Sequence, residues 1–154
     1  MSIVDGYQLV PMVGDPDDYR PATRWAPLAD PGDALGRVAD LVAVVEHIAV
    51  GDRIPTHVHR VDEVIFVHGP GRQRLGDEER AVDEGAVVFV PAGVPHGLAN
   101  KGATPLRIDA VFPSDRIWIR YLDRNPAPGT ESDPPATPFT VVVRTGELIP
   151  DADE

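Results

Sequence analysis

The chain contains no cysteine. Disulfides, thiolate nucleophiles, iron–sulfur clusters and cysteine-ligated zinc are therefore excluded together. Lysine occurs once, at Lys101, in the turn-like run Asn100-Lys101-Gly102. A Schiff-base lysine needs desolvation, which an exposed turn does not give. The three serines, Ser2, Ser114 and Ser132, all stand outside any Gly-x-Ser-x-Gly elbow. The run Gly69-Pro70-Gly71 lacks the third glycine and the following helix of a nucleotide-phosphate loop. No segment approaches the ~18 uninterrupted apolar residues of a membrane-spanning helix. Met1 to Val10 has no basic region followed by an apolar run, so no secretory signal is expected. Positive charge is scarce as well: 14 Lys and Arg against 25 Asp and Glu leave a net charge of −11. Such a chain repels phosphate backbones and anionic bilayers, so neither nucleic acid nor membrane is an expected partner. A soluble, cytoplasmic protein is expected, with metal and acid–base chemistry still open to it.

Hydrophobic residues make up 42% of the 154, enough for one domain with a real core. Residues 14–36 are rich in Asp, Pro and Gly and read as an irregular arm, with Trp25 as its one large packing residue. Residues 1–37 are therefore assigned to an N-terminal arm. From Val38 the character changes to short apolar runs: Leu41–Val50, Val64–Val67, Arg72–Leu75, Arg80–Val82, Ala86–Val90, Leu98–Ala99, Leu106–Phe112 and Ile117–Leu122. Gly, Pro or charged turns separate them roughly every ten residues, the pattern of an all-β sandwich or barrel. This places a barrel at 38–122. Five prolines make 123–138 a loop, and Phe139–Val143 reads as one further strand within a 123–154 tail.

Three of the five histidines and one glutamate fall in two short segments. In Thr56-His57-Val58-His59 the strand period of two puts both imidazoles on one face, their Cα atoms ~6.5–7 Å apart. Arg60-Val61-Asp62 is long enough for a tight turn, so Glu63 can open the neighbouring strand beside them, with Ile65 and Val67 on its face. In the second segment Ala86–Val90 reads as a buried strand, Pro91-Ala92-Gly93 as a turn, and His96 as the start of the return strand.

Together these segments resemble the two signature motifs of the cupin superfamily. Gly51, His57, His59 and Glu63 fit the first. Its closing glycine is irregular, with Gly69 one residue early and Gly71 one late, which implies a changed hairpin beyond the ligands. Gly85, Pro91, Gly93, His96 and Asn100 match the second position for position. The resemblance spans about residues 38–122. It implies a double-stranded β-helix, the cupin jelly-roll barrel, holding one divalent metal through His57, His59, Glu63 and His96. It also implies a homodimer. Three imidazoles and a carboxylate suit Fe, Zn, Mn, Ni, Co or Cu. Without an ion, an unpaired buried carboxylate would cost several kcal/mol.

The resemblance leaves two functional classes. One is a metal-dependent enzyme acting on a small carbonyl-bearing or aromatic molecule, of cyclase, isomerase, decarboxylase or dioxygenase type. The other is a non-catalytic cupin that binds a sugar or effector. Arg107 and Asp109 alternate with Leu106, Ile108 and Ala110. If that polar pair faces the barrel mouth, Asp109 is the candidate catalytic proton acceptor and Arg107 an anchor for an acidic substrate. Otherwise the pair is the solvated face of a half-exposed strand. His68 reads as an exposed turn histidine, and His47 has the wrong parity for a ligand. Phe89, Phe112, Trp118 and Tyr121 are candidates for a pocket wall or for core packing.

Overall fold

Strand alternation organises the molecule. In Leu106–Phe112 the even-numbered residues Leu106, Ile108, Ala110 and Phe112 are buried, while Arg107, Asp109 and Val111 point the other way. Repeated along the chain, this period of two gives two sheets, each with an apolar inner face. The computed structural model describes residues 2–151. Met1 and residues 152–154, the ends of the expected arm and tail, lie outside them.

The strands among the described residues are β1 (Val10–Met12), β2 (Arg20–Ala29), β3 (Val42–Ile48), β4 (His57–His59), β5 (Glu63–Val67), β6 (Gly71–Leu75), β7 (Glu78–Val82), β8 (Val87–Val90), β9 (His96–Asn100), β10 (Leu106–Phe112), β11 (Arg116–Tyr121), β12 (Phe139–Val142) and β13 (Glu147–Pro150). One antiparallel sheet has the order β1-β2-β3-β10-β5-β8 and the other β13-β12-β11-β4-β9-β6-β7. The chain passes repeatedly from one to the other, so the fold is an all-β double-stranded β-helix. No helix among the described residues is long and apolar enough to cross a membrane.

Three features differ from the sequence reading. The segment expected to be an irregular arm contains β1 and β2, and β2 extends the first sheet by pairing with β3 from Arg24↔His47 to Ala29↔Val42. Its prolines hid it. Pro21 lies where the β1–β2 register shifts, and Pro27 lies past the end of the three-residue β1, where no donor is needed. The tail contributes two strands, β12 and β13, and both join the same barrel through β11. Finally, Arg60-Val61-Asp62 is not a hairpin turn. It is a corner between sheets, because β4 pairs with β9 and β11 whereas β5 pairs with β10 and β8.

One end of the barrel is filled by Ile48, Val67, Leu98 and Leu106, each 2% exposed or less. A Cβ at Gly71 would stand 2.9 Å from Leu98 Cδ1 and 3.1 Å from the Ala99 carbonyl oxygen. At Gly69 it would meet only Leu106 Cδ1, at 3.2 Å. The glycine requirement of the irregular hairpin therefore sits at Gly71, where backbone as well as side chain blocks a substituent.

Candidate metal centre

At the other end the two signature segments meet. His57 and His96 are directly paired residues of β4 and β9. The histidine ligand atoms of His57, His59 and His96 lie within 4.8 Å of one another, so the three could hold a metal ion. Glu63 arrives from the facing sheet, at the start of β5, with Oε2 3.0 Å from Nε2 of both His59 and His96. The corner at 60–62 thus carries the carboxylate across the barrel to face the imidazoles rather than to lie beside them.

Backbone carbonyls fix the tautomers. Nδ1 donates to Pro55 O in His57 (2.8 Å), to Val61 O in His59 (2.6 Å) and to Val94 O in His96 (2.9 Å). A carbonyl can only accept, so in each neutral ring the hydrogen is on Nδ1 and Nε2 keeps its lone pair. This is the arrangement a first-row metal requires of its imidazoles. His96 Nε2 is buried and, despite its closeness to Glu63, has no aligned hydrogen-bond partner. Lone pairs of two imidazoles and a carboxylate only 3.0 Å apart repel unless a cation lies between them. Adjacent ligands at ~2.1 Å from an octahedral ion would stand about 3.0 Å apart, so the spacing fits. Burial, followed by the neighbouring His96, pushes the His57 imidazole down to about 3, which keeps it neutral.

A cavity of about 470 Å³ opens from this cluster, walled largely by aliphatic side chains including Ile65, Leu98, Ile108, Ile117 and Ile119. The N-terminal segment closes part of it, with Met12, Val13 and Gly14 in the wall. Polar links hold that segment down. Tyr121 Oη donates to Asp15 Oδ2 at 2.9 Å, and Arg124 Nε pairs with Asp17. Arg20 grips Asp18 with Nε and Nη2 at 2.6 and 2.7 Å and turns Nη1 to Glu46. All three members of that cluster are less than 10% exposed. Burial pulls the Arg20 guanidinium down, but Glu46 and Asp18 outweigh it and hold the charge firmly in place.

Asp109 is not brought to this site. It points outward, where Arg107 Nε donates to its Oδ1 at 3.0 Å and His68 Nε2 meets its Oδ2 at 2.7 Å. The reason is parity: Ile108 and Ala110 face the cavity, so the intervening residue cannot. Of the acidic side chains that do line it besides Glu63, Asp15 and Asp18 belong to the N-terminal segment, and a third, Glu46, to β3. Its parity with Val44 and Ile48 was a signal available in the sequence. Burial pushes the Glu46 carboxyl up, with Arg20 acting against it. Of the aromatic candidates, Phe112 and Tyr121 line the cavity. Phe89 is 69% exposed, and Trp118 lies under the Arg60 guanidinium, 3.9 Å from the ring centroid.

A double-stranded β-helix with a three-histidine cluster at one end defines the class, and comparison with known proteins agrees. The cupin domain family model matches residues 44–115. The solved structure of KdgF from Halomonas sp. is similar over 72% of this chain and 92% of its own, with 22% identity and a TM-score of 0.56. The polyketide cyclase RemF from Streptomyces resistomycificus is similar over 79% and 85%, with 21% identity and a TM-score of 0.61. At these identities the likeness is one of fold. A curated relative, the uncharacterized protein MJ1618 of Methanocaldococcus jannaschii, is 32% identical over 63 residues, 40% of this chain and half the length of that relative. Residues 44–115 are thus similar to a cupin domain, and the barrel shares the cupin fold.

Proposed function

We propose that this chain is a metal-dependent enzyme acting on a small carbonyl-bearing or aromatic molecule, of cyclase, isomerase, decarboxylase or dioxygenase type. One divalent ion would be held by His57, His59, Glu63 and His96. The observation that carries this reading is the set of three Nδ1–carbonyl bonds that leave inward lone pairs, one of them on the unpartnered Nε2 of His96. When bound, Fe, Zn, Mn, Ni, Co or Cu would supply Lewis acidity and open coordination positions, and iron or copper would add oxygen chemistry. The chain itself binds and orients. Its aliphatic walls exclude water, and Glu46 offers a buried carboxyl able to hold a proton in the same cavity. A non-catalytic sugar-binding role finds less support, because a sugar needs more polar partners than these walls offer.

Elemental analysis of untagged protein purified without chelator should find about one equivalent of metal, and His96→Ala should lose it. Iron or copper would direct assays to oxygen uptake; zinc, nickel or manganese would direct them to cyclisation, isomerisation or decarboxylation. Wild-type protein that stays metal-free after reconstitution would sink the proposal.

Cytoplasmic location and a homodimer belong to the same reading. Support for the dimer comes from the outer face of β5 and β8, where Phe66, Val87 and Phe89 are 42%, 44% and 69% exposed. Analytical ultracentrifugation should give twice the mass of the chain, and Phe89→Glu should halve it. A wild-type monomer at all concentrations would rule the dimer out.

A further inference from the structure

The metal ligands and much of the cavity wall come from different parts of the chain. His57, His59, Glu63 and His96 all fall within residues 44–115, the stretch similar to a cupin domain. Outside that stretch, Trp25 on β2, Ile117 and Ile119 on β11, Phe139 and Val141 on β12, and Leu148 on β13 line the same cavity.

Strand pairing gives this wall its reach. His59 pairs with Ile119 and Ile119 with Phe139, while the next row runs from Ile117 through Val141 to Leu148. Directly paired residues share a face, so the second sheet lines the cavity across three strand spacings, ~14 Å, from β4 to β13. The first sheet matches it: Glu63 on β5 and Trp25 on β2 are also three strands apart and line the same cavity. The charged side chains in the wall have partners of their own. Arg20 binds Asp18 and Glu46, and Asp15 accepts from Tyr121. Volume gives the same measure as span. An apolar cavity of ~150 Å³ takes up one benzene, so about 470 Å³ corresponds to roughly three such rings. A molecule of only a few atoms at the ion would leave most of this apolar wall unused.

We infer that the molecule this cavity takes is largely apolar, about three six-membered rings in size, with its metal-binding oxygen at one end. This rests on the proposed reading of the cavity as a substrate site beside a bound ion, and it narrows the substrate class. Residues 44–115 hold the ion, and the strands before and after them set the size of the molecule. Phe139 and Val141 are specificity residues in that added wall.

The test uses the whole chain, zinc-loaded, at pH 7, and calorimetric titration with aryl hydroxamic acids built on benzene, naphthalene, anthracene and pyrene. All four carry the same uncharged metal-binding head, so differences among them report the ring body. Affinity should rise roughly five- to tenfold with each ring up to three, as each ring edge leaves water, and less than about threefold from anthracene to pyrene. Val141→Trp, which fills the wall beyond the histidines, should cut the anthracene-to-benzene affinity ratio at least about tenfold. An anthracene compound no tighter than the benzene one, a ratio unchanged in Val141→Trp, a further tenfold gain for pyrene, or no binding of any probe at millimolar concentration would each overturn the inference. If Val141→Trp does not fold, the ring series on wild-type protein still decides. Zinc content is measured on every sample. Zinc-loaded protein with a flat series would refute the size class alone, whereas protein that holds no zinc yet shows the rising series would refute the metal reading and keep the size class.

Discussion

Replacing Arg20 with alanine is expected to lower the unfolding free energy by about 3–5 kcal/mol, the cost of stranding buried charge. Its partners cannot escape to water: Asp18 is 3% exposed and Glu46 7%. Either both carboxylates stay ionised in a poorly polarisable wall, or they take up protons, and both outcomes weaken the fold. In a chain of this length such a loss lowers the melting temperature on the order of 10 °C. The control is Arg72→Ala, which breaks the Arg72–Glu79 pair, whose side chains are 51% and 47% exposed. That change should cost less than about 1 kcal/mol. Denaturant titration of the two variants beside wild type makes the measurement. A loss in Arg20→Ala no larger than in Arg72→Ala would show that the cluster is not a load on the fold. Because Arg20 joins the N-terminal segment to β3, Arg20→Ala should also speed amide exchange around Asp18 and Tyr19.

The elements that were readable from sequence are those whose burial alternates cleanly. The Leu106–Phe112 strand coincides with β10 because four apolar residues on one face left no other reading. The histidines could be grouped because a strand's period is rigid and the motif spacing is short. What could not be read depends on partners distant in the chain. β2 owes its place to β3 and carries prolines that local rules count against a strand. The destination of Glu63 was mistaken because three residues suit a hairpin or a corner equally well, and only the pairing of β4 with β9 and β11 decides. For Asp109 the alternation alone left two faces of one strand open. The inward side was settled by Ile108 and Ala110, whose apolar character was visible from the start. Arg20 carried no motif at all. Its role arises from burial and from hydrogen-bond positions filled by distant partners, which no local spacing encodes.

Metal-free protein should lose stability as pH falls from about 6.5 towards 3, and His57 should account for a distinct part of the loss. Its ordinary value of 6.5 applies to the unfolded chain, whereas in the barrel burial and His96 push it down to about 3. Between these limits the unfolded chain binds a proton that the folded chain refuses, so the unfolded state gains on acidification. Above pH 6.5 the ring is neutral in both states and the effect vanishes. The magnitude is on the order of a few kcal/mol, reduced because His57 is only partly buried. Asp15 and Glu46 oppose it: burial raises both carboxyls, so in their own window the folded state binds the extra proton. Comparison with His57→Asn removes that complication, because the two carboxyls are common to both proteins. Denaturant midpoints of chelator-treated wild type and variant, taken from pH 7 to pH 4, should converge as the pH drops, with wild type falling more steeply. Parallel curves would mean that His57 titrates normally inside the barrel. The metal centre would then lack a preorganised, neutral nitrogen at that residue, whatever the metal content proved to be.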